Sequence, residues 1–255
     1  MLDLSIVLRN VVFLTSKLDL YDRDTLENRV AKQFGNQNGI LSNLKYYIRN
    51  YDHFLFVSSG TTDTESTDAY ARVTFESFSM TLPFAHYDIL DIRTQDKAAD
   101  LIAKADFIFL CGGHLPTQNA FFNKIGLRGQ LKRTNAVIFG GSAGSMNCAD
   151  KVYCPPEIEG ESLDPHFQKE LCGLGLTNLN ILPHYDSLRD SFLDGKRYIE
   201  DIIIPDSFCR DIYAINDGTY FLIAGGETRV FGECHLIKNG IVKKINEDGK
   251  IKRLL

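Results

Sequence analysis

Within this 255-residue chain, the stretch best suited to chemistry is Gly140-Gly141-Ser142-Ala143-Gly144. The apolar run Ala136-Val137-Ile138-Phe139 leads into it, and small residues that can open a helix follow. A strand, a Gly-x-Ser-x-Gly turn and a helix form the context that lifts a serine hydroxyl clear of a sheet. Gly140 and Gly144 place no side chain where the backbone doubles back, and Ala143 is small for the same reason. Ser142 Oγ then stands beside a helix N-terminus, where the Ala143 N–H is free to stabilise an oxyanion. Two plainer readings fit the same residues: a tight turn whose serine only caps a helix, and a phosphate loop. The second fits poorly, because a Gly-Lys-Ser/Thr ending and G-x-G-x-x-G spacing are both missing.

A nucleophilic serine needs a base, and His184 is the best placed of the six histidines. It lies in Asn180-Ile181-Leu182-Pro183-His184-Tyr185-Asp186, where a short apolar run stops at a proline, so it should sit at a strand end and face Ser142. The plainer reading is a loop histidine bonded locally. A carboxylate should hold the imidazole in the right tautomer. Between Ser142 and His184, residues 154–161 offer Glu157, Glu159 and Glu161; Pro155 and Pro156 stiffen the chain before Glu157, whereas the other two read as a solvated acidic loop. The order is Ser, Glu, His, with only 42 residues from serine to histidine, which favours a compact flavodoxin-like sheet over an α/β-hydrolase.

The elements that must carry these groups follow from the hydrophobic pattern. Apolar runs at 11–14, 53–57, 88–90, 107–111 and 136–139 read as buried strands. Stretches 40–50, 65–79, 96–104 and 117–132 read as helices, the last broken near Gly126. This alternation implies βαβ units and a mostly parallel sheet in three layers, with ligands bound beyond the carboxyl ends of the strands. Gly112-Gly113 and Gly140-Gly141 both fall at such ends. Toward the C-terminus, 219–224, 228–237 and 241–245 read as an antiparallel extension at one sheet edge, with Asn239-Gly240 as a hairpin turn and 246–249 as a further turn. With no linker or repeat, residues 1–255 are expected to form one domain.

A formal charge of -5 argues against nucleic acid as a partner. Residues 1–15 are apolar but carry Asp3 and Arg9, which makes a poor signal peptide and too short a membrane span. Six scattered cysteines without a C-x-x-C pair suit reduced thiols in the cytoplasm and no metal site.

Three motifs together resemble the peptidase E and cyanophycinase family of serine peptidases: the apolar strand before Gly112-Gly113, Gly141-Ser142-Ala143-Gly144, and Leu182-Pro183-His184-Tyr185. The resemblance covers most of the chain from Phe107 to Ala224 and more loosely the N-terminal half. It implies a fold similar to class I glutamine amidotransferases and a Ser–His–Asp/Glu triad without metal or cofactor. Ser142 then resembles the nucleophile, His184 the base and Glu157 the acid, where peptidase E has aspartate, and Gly113 N–H becomes a second oxyanion donor. Family members read an aspartyl group near the scissile bond, so the resemblance also implies an answering cation, with Arg197 and Arg189 as candidates. After the paired glycines, peptidase E has asparagine and threonine, whereas this chain has His114-Leu115-Pro116, so the loop beside the oxyanion hole is rebuilt.

The resulting expectation is a hydrolase of short peptides, with N-terminal or β-linked aspartyl residues as the family's preference, working through an acyl-enzyme. The partner is a small peptide, with neither nucleic acid nor membrane, and assembly is left open, a homodimer included. Two alternatives stand beside it: an amidotransferase-like or esterase-like hydrolase of a non-peptide amide or ester, and an inert binding module of the same fold.

Overall fold

Strands that are apolar on both faces need helices on both sides, and this requirement organises the computed structural model, which describes residues 10–22 and 29–254. The expectations for residues 1–9 lie outside the described residues. Twelve strands make up the two larger sheets: β1 (Val12–Thr15), β2 (His53–Val57), β3 (His86–Leu90), β4 (Phe107–Leu110), β5 (Val137–Gly141), β6 (Asn180–Leu182), β7 (Ile212–Ile215), β8 (Tyr220–Ala224), β9 (Glu227–Phe231), β10 (Cys234–Lys238), β11 (Ile241–Asn246) and β12 (Ile251–Leu254). Among the described residues, the α-helices of four or more residues are α1 (Ile40–Tyr47), α2 (Thr64–Ser79), α3 (Ala98–Lys104), α4 (Leu115–Lys124), α5 (Leu127–Leu131), α6 (Ala143–Met146) and α7 (Tyr185–Leu188).

The central sheet has eight strands in the order β12-β9-β8-β1-β5-β4-β2-β3. From β1 to β3 every pairing is parallel; β8, β9 and β12 add antiparallel pairings on the other side. β4 shows the logic of the layers. Its four residues, Phe107-Ile108-Phe109-Leu110, are all buried. Phe107 and Phe109 join a core with Phe54, Phe78 and Phe139 beneath α1 and α2. Ile108 and Leu110 point the other way, into a core with Phe122 and Leu131 from α4 and α5. The alternation of successive side chains across a strand thus produces three layers. Between α4 and α5 the chain breaks at Gly126, whose φ is 63°.

A second sheet, in the order β6-β7-β10-β11, stands beside the first. β6 and β7 run parallel, so their carboxyl ends emerge at the same end. The Asn216-Asp217-Gly218-Thr219 turn then carries the chain from β7 into β8 of the central sheet. The C-terminal strands depart from the sequence expectation. The anticipated strand 228–237 divides into β9 and β10 around Gly232, whose φ of 98° redirects the chain. Asn239 and Gly240, with φ of 50° and 78°, do form the hairpin turn, but within the second sheet rather than at the edge of the first. Among the described residues no helix is long and apolar enough to cross a membrane.

Candidate active site

The parallel register of β1, β5 and β4 brings three strand ends together, and the serine turn is pinned between them. Ser142 has φ 51° and ψ −118°, a conformation that an L-residue adopts only when its surroundings impose it. The surroundings here are specific. The Ser142 N–H donates to the carbonyls of Thr15 and Ser16, at 3.0 and 2.8 Å. Ser145 Oγ, fully buried, lies 2.8 Å from the Thr15 carbonyl and 2.7 Å from that of Gly140. A Cβ at Gly144 would run into the Leu110 carbonyl oxygen, so only glycine lets α6 start this close to β4. Gly113 answers a similar constraint, since a Cβ there would fall 2.6 Å from Ser59 Cβ.

His184 arrives from the second sheet. β6 ends at Leu182, Pro183 prevents its continuation, and His184 takes a left-handed conformation with φ 60°. Its N–H donates to Ser16 Oγ at 2.8 Å. The ring lies with Nε2 3.0 Å from Ser142 Oγ and Nδ1 2.8 Å from Asp217 Oδ1. A proton on Nδ1, shared with the carboxylate, leaves the Nε2 lone pair facing the serine. Ser16 closes the group: its Oγ donates to Asp217 Oδ1 at 2.6 Å and lies 3.2 Å from His184 Nδ1. Partial burial would raise the Asp217 carboxyl, but the hydrogen bonds from His184 and Ser16 outweigh it and hold the group below the usual carboxylate range.

The acid expected from the sequence is therefore corrected. Glu157 does not contact His184; its Oε2 accepts from the Leu115 N–H at 3.1 Å, at the start of α4. It is exposed to solvent, and desolvation by the surrounding protein raises its carboxyl. Glu161 ties the same loop together by accepting from the N–H groups of Glu157 and Ile158, at 2.7 and 3.1 Å. Its other oxygen lies 2.9 Å from His114 Nε2, while His114 Nδ1 pairs with Thr117 Oγ1 at 2.8 Å. His114 is thus engaged in holding the rebuilt loop. Glu159 is exposed.

The two arginines are also placed elsewhere. Arg197 forms a fork with Asp201, at 3.1 and 2.8 Å, and Arg189 lies exposed, 3.9 Å from Asp186. Neither lines the pocket that opens beside Ser142. Ala143 follows the serine directly and Gly112 lies against it, a Cβ there falling 3.4 Å from Ser142 Cβ; the N–H groups of Gly113 and Ala143 have no backbone acceptor among the described residues. Nor do the described residues contain a cluster of histidine, cysteine or carboxylate side chains arranged to hold a metal ion.

Asp217 and Ser16 are the residues that sequence reasoning missed. Chain order points to the carboxylates between Ser142 and His184, whereas Asp217 lies 33 residues beyond the histidine. A signal existed in Asn216-Asp217-Gly218, a polar turn closing an apolar run, but only the parallel pairing of β6 with β7 shows that this turn rises beside His184.

A serine on a glycine turn, within hydrogen-bond reach of a histidine at the carboxyl edge of a three-layer sheet, is an arrangement of the hydrolase type. The sequence profile of Peptidase family S51 matches residues 31–231, and the chain belongs to that family. A crystal structure of a candidate peptidase E from Listeria monocytogenes EGD-e, at 1.5 Å, shares the fold with a TM-score of 0.54 at 17% identity, over 93% of this chain and 99% of that one. No curated protein matches the chain in sequence.

Proposed function

We propose that this chain is a serine-type peptidase acting on short peptides through a Ser142–His184–Asp217 triad. The observation that carries the reading is the unbroken chain of contacts from Ser142 Oγ to His184 Nε2, at 3.0 Å, and from His184 Nδ1 to Asp217, at 2.8 Å, on a turn that holds the serine at a positive φ. His184 takes the Ser142 proton as Oγ forms a bond to the scissile carbonyl carbon. The N–H groups of Gly113 and Ala143 receive the oxyanion. Collapse of the tetrahedral species breaks the C–N bond, His184 gives its proton to the leaving amine, and an acyl-serine remains. Water, deprotonated by His184, then attacks the acyl carbon, and the proton returns to Ser142 as the ester bond breaks. Asp217 orients the imidazole and stabilises its cationic form, while Ser16 holds Asp217 and the His184 backbone in place.

Membership of family S51 supports a peptidase, and the triad geometry supports serine as its nucleophile. A preference for aspartyl substrates is not carried over, because Arg197 and Arg189 are paired with carboxylates away from the pocket. The test is hydrolysis of a dipeptide library by the wild type, Ser142→Ala and His184→Ala. Either substitution should lower kcat by several orders of magnitude; a Ser142→Ala protein that still cleaves at the wild-type rate refutes the proposal.

A further inference from the structure

The pocket beside the serine has a composition that names a substrate class, an inference that rests on the serine-peptidase reading. It has a volume of about 190 Å³. Sites for drug-sized ligands run to roughly 300–1,000 Å³, so this one has room for a single side chain. Its lining joins Ser142, His184 and the 15–17 stretch to an apolar set of Leu18, Leu20, Tyr21, Tyr70, Phe109 and Phe139. Phe109 and Phe139, stacked with centroids 5.6 Å apart, belong to the aromatic core layer. Tyr70 stands edge-on to Tyr21 at 6.3 Å and to Phe56 at 5.4 Å, which extends the aromatic layer up to the nucleophile.

Among the described residues two cations lie near the pocket. Lys17 touches the pocket, but it also borders the neighbouring cavity with Asp217 and adds to the field that holds that carboxyl low. Arg29 lies over the rings of Tyr21 and Tyr70, at 4.8 and 5.4 Å, and borders a separate cavity beyond Tyr70 and Gly112. A carboxylate seated between the leucines and phenylalanines would lose its hydration, and Lys17 is the one cation lining the pocket among the described residues. An aromatic ring would meet other rings edge-on or offset, at centroid distances these side chains already use.

We infer that this pocket receives an apolar side chain, an aromatic one best, from the residue whose carbonyl Ser142 attacks. The class differs from the aspartyl preference that the family resemblance implied.

The test uses matched aminoalkylphosphonate diphenyl esters bearing benzyl, isobutyl, methyl or carboxymethyl side chains, with a simple fluorophosphonate as reference. Attachment to Ser142 is followed by intact mass, with Ser142→Ala as the blank. The benzyl probe should react about 10- to 100-fold faster than the methyl probe, and the carboxymethyl probe more slowly than both. Tyr21→Ala should narrow the benzyl-to-methyl ratio. Reaction with the fluorophosphonate, together with a carboxymethyl rate equal to or above the benzyl rate, overturns the pocket assignment and leaves the serine reading intact; loss of that preference in Lys17→Ala or Arg29→Ala would identify the cation responsible. Failure of the fluorophosphonate to label Ser142 removes the serine reading and the pocket assignment with it.

Discussion

Replacing Asp217 by asparagine is the perturbation that most directly separates the site seen in the structure from the one suggested by chain order. The carboxylate accepts the His184 Nδ1 proton at 2.8 Å, and asparagine can instead turn its amide N–H₂ toward Nδ1. Nδ1 would then become the acceptor, the proton would move to Nε2, and the imidazole could no longer receive the Ser142 proton. In a serine protease with a fully buried acid the same change costs about 10⁴ in kcat. Here the Asp217 side chain is 51% exposed, so water can partly replace the lost charge and the tautomer is less strictly enforced. A loss of about 10²–10⁴ follows, equivalent to about 3–5.5 kcal/mol of transition-state stabilisation. The assay is the second-order rate of Ser142 phosphonylation by a fluorophosphonate, which needs an activated serine but no peptide recognition. Glu157→Gln, measured in parallel, should label at the wild-type rate, because Glu157 contacts Leu115 and not His184. Labelling of Asp217→Asn within about threefold of wild type, with reactivity lost in Glu157→Gln, would refute the assignment of Asp217.

Four further outcomes are expected. Ser142→Gly and Ser142→Ala should both be inactive, but the glycine variant should be the more stable by about 1 kcal/mol, the relief of roughly 1–3 kcal/mol of backbone strain less glycine's entropic cost of about 0.5–1; thermal melts of the pair would show a difference of about 2–4 °C. Ser16→Ala leaves the His184 N–H without its acceptor and Asp217 without a donor, so stability should fall by about 1–3 kcal/mol and kcat with it, read by urea unfolding and by single-turnover hydrolysis. Gly144→Ala forces a methyl against the Leu110 carbonyl, a backbone atom that cannot swing away, and should cost at least about 3 kcal/mol, seen as loss of soluble protein or an early unfolding midpoint. The depressed Asp217 carboxyl contributes stability that is present above its unfolded value of about 3.9 and is lost as pH falls through the lower folded value. The difference in melting temperature between wild type and Asp217→Asn should therefore shrink as the pH is lowered below about 4; a gap that stays constant down to pH 2 would contradict it.

Local pattern and tertiary arrangement contributed different things to this site. The strand before Ser142, the glycines on either side of it and the proline that halts the chain at His184 were legible in sequence, because each answers a constraint acting within a few residues. A strand stops where its amide is missing, and a turn this tight admits no Cβ. The parallel half of the central sheet was legible for a similar reason, since strands covered on both faces read as unbroken apolar runs, as Phe107 to Leu110 do. The division of 228–237 between two sheets was not, because one glycine's φ decides it and the apolar pattern continues across the break.

The partnerships among charges needed the tertiary structure. Glu157, Glu159 and Asp217 offer the same chemistry, and chain order favours the carboxylate lying between the serine and the histidine. The parallel pairing of β6 with β7 chose Asp217, by raising both strand ends beside the close of β1, where Ser16 binds each. Likewise Arg197 could have served a substrate until its fork closed on Asp201, and the apolar pocket draws its walls from four separated segments that meet only in the folded sheet. By itself the sequence determined which residues could attack a carbonyl and accept its proton, because those requirements are local. Which acid lies against the histidine, and which side chains line the pocket, depended on contacts between distant segments whose register only the packed sheets define.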